Sequence, residues 1–277
     1  MTDHSFPLAG VIGYPIGHSK SPKLHRYWLE RYGIPGDYVP LPVSDDNLRH
    51  VLHTLPRMGF VGVNITIPHK VTVMSIADQV SDRATLIGAA NTLIFGSDGR
   101  IYADNTDGYG FISNLKQEAP NWDPTLGPAT VLGAGGAARA VISSLIEAGV
   151  PHIFLSNRTR PKAETLKQDF GSRIEVVDWV KAGNVIEDST TLVNTTSLGM
   201  QGAAEFRVPL DGLSGGTLVT DLVYAPLRTK LLQTAESMGC ETVDGLGMLL
   251  HQAVPAFERW FGKRPDVDDA ARRAVLS

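Results

Sequence analysis

The run Gly133-Ala134-Gly135-Gly136-Ala137-Ala138 stands between an apolar, β-branched stretch and a stretch with helical spacing. Residues 129–132 read as a buried strand, and residues 137–146 as a helix. A strand that stops at Gly133 and a helix that begins within three residues need a tight turn nearly free of side chains. The segment therefore specifies a βαβ unit of a parallel sheet. In such a unit Gly133 makes the turn, Gly135 lets a pyrophosphate approach the backbone, and Ala138 allows the helix to lie close to the strand. Phosphates are expected at the N-terminus of that helix, beside Ala134, Gly136 and Ala137. The pattern predicts a dinucleotide site, although an ordinary strand-to-helix turn uses the same glycines.

The end of the next strand selects the dinucleotide. An acidic residue there would hold both ribose hydroxyls of NAD, but residues 152–156 are followed by Asn157-Arg158-Thr159. An acid repels a 2'-phosphate, whereas a guanidinium grips one with two hydrogen bonds, so NADP is the expected cofactor. Lys162 supplies a second positive charge nearby. The alternative is that Arg158 is a solvated loop charge.

At 277 residues the chain exceeds the size at which one core usually suffices, and two domains are expected. A net charge of -4 argues against a nucleic-acid surface or a polybasic membrane face. The single cysteine, Cys240, excludes an intramolecular disulfide framework and suits a reducing compartment. The first residues lack a cationic start followed by an apolar run, and no stretch is long enough to span a membrane, so a cytoplasmic location is expected. The eight histidines are scattered without ligand spacing, and no metal is expected.

Strand-like runs alternate with helical patterns along the whole chain, which predicts an α/β protein with largely parallel sheets. Strands are expected over 8–12, 38–41, 60–65 and 92–95, then near 129–132, 152–156, 174–177, 191–194 and 217–221. Helices are expected over 23–31, 45–55, 71–76 and 82–87. Leu246, Leu249, Leu250, Ala253, Val254, Phe257, Trp260 and Phe261 form one apolar helical stripe, expected to return to the first domain. The linker is placed near 104–108. The expected division is 1–106 with 246–277 as one domain and 107–245 as the other.

Polar clusters in the first part carry the remaining chemistry. Ser19 and Ser21 flank a strand-to-helix loop before Pro22. Ser21 reads either as a helix N-cap or, with Ser19, as a cradle for a carboxylate. Asn64 and Thr66 alternate along one strand and point the same way. Lys70 is read as opening a helix, where the dipole disfavours a cation, and this oddity hints at function; a solvated surface lysine is the plainer reading. Asn91 and Asp107 stand on loops near the expected junction, and one of residues 104–106 is expected to cap the following helix.

Taken together, these motifs resemble the shikimate/quinate dehydrogenase family, almost end to end. The resemblance rests on Ser19-x-Ser21-Pro, Asn64-x-Thr66-x-Pro-x-Lys70, Gly88-x-x-Asn91-Thr92, Asp104-Asn-Thr-Asp107-Gly, Gly133-Ala-Gly-Gly-Ala and Asn157-Arg158-Thr159. It continues in Asn194-x-Thr196-Ser197-x-Gly-Met200, Asp221-Leu222-Val-Tyr224-x-Pro and Asp244-Gly245-x-Gly-Met248-Leu-x-x-Gln252. Any one is weak; several together are specific. The resemblance implies an N-terminal α/β substrate domain, a Rossmann-type NADP domain, and reversible reduction of 3-dehydroshikimate to shikimate. It implies that Ser19 and Ser21 bind the substrate carboxylate, and that Asn64, Thr66, Lys70, Asn91, Asp107 and Gln252 bind the hydroxyls and the reacting oxygen. Tyr224 is a further substrate-side candidate. Leu222, Gly245 and Met248 are implied beside the nicotinamide, with Thr196 and Ser197 also in the cofactor site.

Oxidation of a secondary alcohol moves a hydride to nicotinamide while a proton leaves oxygen, so an acid-base group must reach that oxygen. Lys70 is the first candidate, with Asp107 orienting it. A neighbouring carboxylate favours the ammonium form, which suits an acid and opposes a neutral base. Lys162 stands where the family often has arginine and keeps the charge without the fork, so NADP binding is expected to be somewhat weaker. His18 and His69 lie in matched motifs at positions the pattern does not fix and are read as loop residues. Two alternatives remain open: a quinate/shikimate dehydrogenase using NAD(P), and a non-catalytic NADP-sensing regulator. The former differs in cofactor preference and in the room around Ser21 and Tyr224. The latter has no use for the Lys70 and Asp107 pair. A monomer or homodimer is expected.

Overall fold

The computed structural model describes residues 6–277. In chain order its elements are β1 (Leu8–Gly13), α1 (Ser21–Arg31), β2 (Asp37–Pro42), α2 (Asp45–Thr54), β3 (Phe60–Ile65), β4 (Gln79–Val80), α3 (Asp82–Ile87), β5 (Thr92–Phe95) and β6 (Ile101–Asp104). They continue as α4 (Asp107–Glu118), β7 (Ala129–Leu132), α5 (Gly136–Ala148), β8 (Ile153–Ser156), α6 (Arg160–Phe170), β9 (Ile174–Val177), β10 (Thr191–Asn194) and β11 (Leu218–Asp221). The last are α7 (Lys230–Ser237), β12 (Glu241–Val243), α8 (Gly245–Phe261) and α9 (Asp269–Leu276). The chain divides into two compact units, residues 1–110 with 249–277 and residues 111–248. It passes from one to the other inside α4 and again inside α8.

The first unit holds a six-stranded sheet in the order β2-β1-β3-β5-β6-β4. Its pairings are mixed: β1 runs parallel to β2 and β3, whereas β5 runs antiparallel to β3 and β6. The expected parallel character therefore stops at β3. Residues 96–100 close a tight hairpin, with the Gly96 N–H donating to Arg100 O and Gly99 at φ +80°. Here a short turn reverses the chain where a parallel partner would have needed a crossover. One core lies under α2, with Leu48, Leu52, Val63, Ile65 and Leu93 buried. α8 packs Phe257 and Trp260 beside Trp28 and Tyr38, and the Trp260 indole donates to Leu93 O at 3.1 Å.

The second unit is a wholly parallel sheet in the order β12-β11-β10-β7-β8-β9. Every residue of β7 and β10 is buried, as both faces of a parallel sheet require. Val131, Val141, Leu145 and Leu155 fill one side of the sheet, while Leu132, Leu192, Val219 and Leu231 fill the other. The order turns back at β7, so ligands are expected outside the carboxyl ends of β7 and β10.

Two local expectations fail. Ser21 is inside α1 rather than capping it: Lys20 is the N-cap, and the Ser21 N–H instead meets Ser19 Oγ at 3.3 Å. Lys70 does not open a helix, because the expected helix over 71–76 is one 3-10 turn at Thr72–Ser75. Val71 is 58% exposed, so the segment lacks an apolar face broad enough to carry a longer helix. The dipole argument for Lys70 falls with it.

Candidate active site

In the first unit, the ends of β3 and β5, the start of α4 and the middle of α8 bring their polar side chains into one buried network. Lys70 Nζ donates to Asp107 Oδ2 at 2.5 Å, and Asn91 Nδ2 donates to Asp107 Oδ1 at 2.9 Å. Asn91 Nδ2 also reaches Gln252 Oε1 at 3.1 Å. Its Oδ1 accepts the Thr106 N–H at 2.8 Å. Thr106 and Thr92 hydroxyls stand 3.1 Å from the same oxygen. Asn64 Nδ2 donates to Asn91 O and to Thr92 Oγ1, and Asn64 Oδ1 accepts from the Tyr38 hydroxyl at 2.7 Å. Ser21 lies beside that hydroxyl, and burial raises the Tyr38 phenol well above its usual range. Lys70 and Asp107 keep 15% and 6% of their side-chain surface, so the pair is desolvated yet open to a ligand.

Among the expected substrate residues, Asn64, Lys70, Asn91, Asp107 and Gln252 share direct contacts. Ser21 joins them through Tyr38. Thr66 sits one residue past β3, its N–H bonded to Ile12 O at 2.9 Å. Ser19 is half-buried in the loop before α1. Tyr224 belongs to the second unit, where burial raises its phenol pKa. Asp104 is structural, bound by Ser81 and Arg83, and Asn105 accepts the Asp107 N–H at 3.0 Å just before α4. Tyr38 escaped the sequence reading. Its place on a strand read as core gave no signal that its hydroxyl would meet Asn64.

In the second unit, Gly133, Ala134, Gly135, Asn157, Arg158, Thr159, Lys162, Thr196 and Ser197 line an open cavity together with Trp179, Thr195 and Leu198. Gly133 has φ +108°, and a Cβ there would stand 2.5 Å from Thr195 Oγ1. Gly135 faces open space, where a Cβ would meet nothing within 4 Å, and α5 begins without a side-chain cap. Free N–H groups of the first turn, including those contributed by Gly136 and Ala137, are thus available to an anion. Arg158 and Lys162 are exposed and in no ion pair among the described residues, whereas Arg160 is bound to Glu164 and Asp178. This cradle, with two free cations at its rim, fits a dinucleotide carrying an extra phosphate.

Asn194 and Asp221 hold the loops that line this cavity. Asn194 Oδ1 accepts the Thr196 N–H and hydroxyl, while Asn194 Nδ2 donates to Asp221 Oδ1 at 2.9 Å. Asp221 also accepts from the Val223 N–H and the Thr229 hydroxyl, and burial pushes its carboxyl up to about 6 despite these three donors. The Asn157 amide is engaged locally, donating to Thr159 O at 2.8 Å. Leu222 and Met248 pack at the edge of the unit's core. Gly245 is tightly constrained, since a Cβ would lie 2.4 Å from Leu222 O. Trp179 was missed because a lone tryptophan after β9 matches no motif.

Comparison with known proteins agrees in all three regions of the chain. Residues 11–93 match the shikimate dehydrogenase substrate binding domain, residues 124–200 match shikimate / quinate 5-dehydrogenase, and residues 245–276 match the shikimate 5'-dehydrogenase C-terminal domain. A shikimate dehydrogenase (NADP(+)) of Ruegeria sp. is 66% identical, with both chains fully covered. The crystal structure of shikimate 5-dehydrogenase from Thermus thermophilus in complex with NADP(H) and shikimate has a TM-score of 0.86 at 37% identity, covering 97% of this chain and 99% of that one. Quinate dehydrogenase from Corynebacterium glutamicum in complex with NAD has a TM-score of 0.90 at 31% identity, covering 98% and 99%.

Proposed function

The chain belongs to the shikimate dehydrogenase family, and from that premise we propose how its residues divide the work of one reaction. It is an NADP-dependent oxidoreductase that interconverts 3-dehydroshikimate and shikimate, a step of aromatic amino-acid biosynthesis. The observation that carries the site assignment is the desolvated Lys70–Asp107 pair, held by Asn91 and Gln252 in the first unit. The first unit, residues 1–110 with 249–277, binds the substrate, and the second, residues 111–248, binds the cofactor, so the boundaries lie a few residues beyond the expected 106/107 and 245/246.

Ser19 and Ser21 receive the carboxylate. Asn64, Thr66, Asn91 and Gln252 hold the ring hydroxyls, with Tyr224 as a further contact. When bound, NADPH supplies the hydride that reaches the carbonyl carbon. As that carbon accepts the hydride, its oxygen gains charge, and the Lys70 ammonium donates a proton to it. Asp107 holds the ammonium in place and stabilises the charge on it before transfer. In the reverse direction the hydroxyl proton returns to Lys70.

On the cofactor side, Gly133 through Ala137 and the first turn of α5 support the pyrophosphate. Arg158 and Lys162 bind the 2'-phosphate, with Asn157 and Thr159 shaping their loop. Thr196, Ser197, Leu222, Gly245 and Met248 border the nicotinamide half. Among the described residues no helix is long and apolar enough to cross a membrane. We place the enzyme in the cytoplasm as a monomer or homodimer, each chain carrying all the residues named.

The test pairs shikimate or quinate with NADP or NAD and follows the reduced-nicotinamide absorbance. Turnover confined to shikimate with NADP is expected; preference for quinate or NAD would refute the specificity reading. Lys70→Ala is expected to lower kcat by about 100-fold or more, with KM for shikimate changed far less. Unchanged turnover in that variant would remove Lys70 from the chemistry.

A further inference from the structure

His69 was expected to be an ordinary loop residue, but its side chain is fully buried. Nε2 lies 2.7 Å from Val43 O, just past β2, and Nδ1 lies 2.8 Å from Asp45 Oδ1 at the start of α2. The second contact is an ion-pair approach outside good hydrogen-bond alignment, and Nδ1 has no other polar partner among the described residues. We propose that His69 is a positioning residue for this reaction: its imidazole straps the turn carrying Lys70 to the β2–α2 junction and thereby sets where the Lys70 ammonium stands. The proposal rests on the reading of Lys70 as the acid-base group.

The neighbours of His69 show why such a strap is needed. Ile67 is 75% exposed, Pro68 is exposed and Val71 is 58% exposed, so packing does not hold this turn. Backbone hydrogen bonds tie it instead: Ile67 O accepts the Tyr14 N–H, the His69 N–H donates to Thr66 O, His69 O accepts the Val73 N–H, Lys70 O accepts the Ala90 N–H and Val71 O accepts the Met74 N–H. A four-residue 3-10 turn follows instead of a helix. The one fully buried side chain between residues 67 and 71 is that of His69, immediately before the residue whose ammonium must be placed.

The ring's bonding fixes its orientation. A carbonyl oxygen only accepts, so Nε2 carries a hydrogen toward Val43 O. Nδ1 then faces the Asp45 carboxylate either with a second proton, which attracts, or with a lone pair, which repels. The hydrogen bond to Val43 O at 2.7 Å holds the ring in either case. The charged groups around it are Asp45 from α2 and the neighbouring Lys70, itself paired with Asp107. Arg49, farther along α2, is directed to Ser75 O at 3.3 Å.

The experiment compares His69→Phe, His69→Gln and Lys70→Ala with the parent enzyme, measuring kcat and KM for shikimate. His69→Phe removes both contacts while keeping bulk. It is expected to lower kcat by about tenfold or more with KM within about twofold, since a small displacement of an acid-base group mainly slows chemistry. His69→Gln keeps a donor toward Val43 O and is expected to recover part of kcat.

A kcat within about twofold of the parent in both His69 variants would overturn the proposal. If His69→Phe fails to fold, His69→Gln decides alone. Should Lys70→Ala keep full turnover, the reading of Lys70 fails, and this is distinguishable from normal turnover in the His69 variants alone.

Discussion

At the scale of single residues, function here depends on which charges are already spent. Arg160 is occupied by Glu164 and Asp178, while Arg158, two positions earlier, is exposed with its guanidinium free to meet a ligand. A hydrogen bond to a charged group contributes about 1.5–3 kcal/mol, or roughly tenfold to a hundredfold in affinity. Arg158→Leu is therefore expected to weaken NADP by that factor and to leave NAD nearly unchanged, which calorimetric titration with each dinucleotide checks. The sequence already pointed to Arg158, because a cation in place of an acid after β8 is a local signal. It did not point to Trp179, Tyr38 or the burial of His69. Their importance comes from what the fold puts opposite them: the cavity wall, Asn64, and Asp45.

Among the elements, strands were legible where they are long or mostly buried on both faces, as in β3, β5, β7 and β10. The two-residue β4 and three-residue β12 are too short to show a period. β6 escaped for a different reason: Asp98-Gly99 is a hairpin signal that the reading overlooked, and it forces the antiparallel pairing with β5. The junction between β11 and α8 illustrates how an element's position is fixed by backbone rather than side chain. Gly245 lies so close to Leu222 and Asp221 that a Cβ would meet their carbonyl oxygens at 2.4 and 2.7 Å. Gly245→Ala is expected to cost about 1–3 kcal/mol, visible as a lower Tm, because backbone cannot yield as a side chain would. A Tm equal to the parent's would show that α8 can slide at no cost.

For the whole molecule, buried titratable groups set how stability varies with pH. His25 is fully buried, stacked on Tyr38 at 3.9 Å, with both ring nitrogens unpartnered, and burial lowers its pKa from 6.5 to about 3. The unfolded chain therefore binds a proton between about 6.5 and 3 that the folded chain refuses, so stability is lost as pH falls through that window. His251, lowered to about 4 by burial and by Arg272, acts in the same direction. Asp221, raised from 3.8 to about 6, acts in the opposite one: the folded chain holds its proton longer, and stability falls as pH rises between those values. His25→Phe is expected to move the acid-unfolding midpoint to lower pH, measured by denaturant titration at several pH values; an unmoved midpoint would show that His25 finds a partner in solution. The sequence by itself pointed to the alternation of strands and helices apart from β4, β6 and β12, to the cofactor turn and to NADP rather than NAD, and it singled out Lys70 and Asp107 as candidates, because each is written in neighbouring residues or in a short motif. Only the tertiary structure decided that β5 and β6 run antiparallel, that Lys70 stands on a short turn, and that Tyr38, His69 and Asp221 brace the polar groups around them. Such facts depend on pairings between residues far apart in the chain, and burial, which gives those pairings their strength, exists only once the chain has folded.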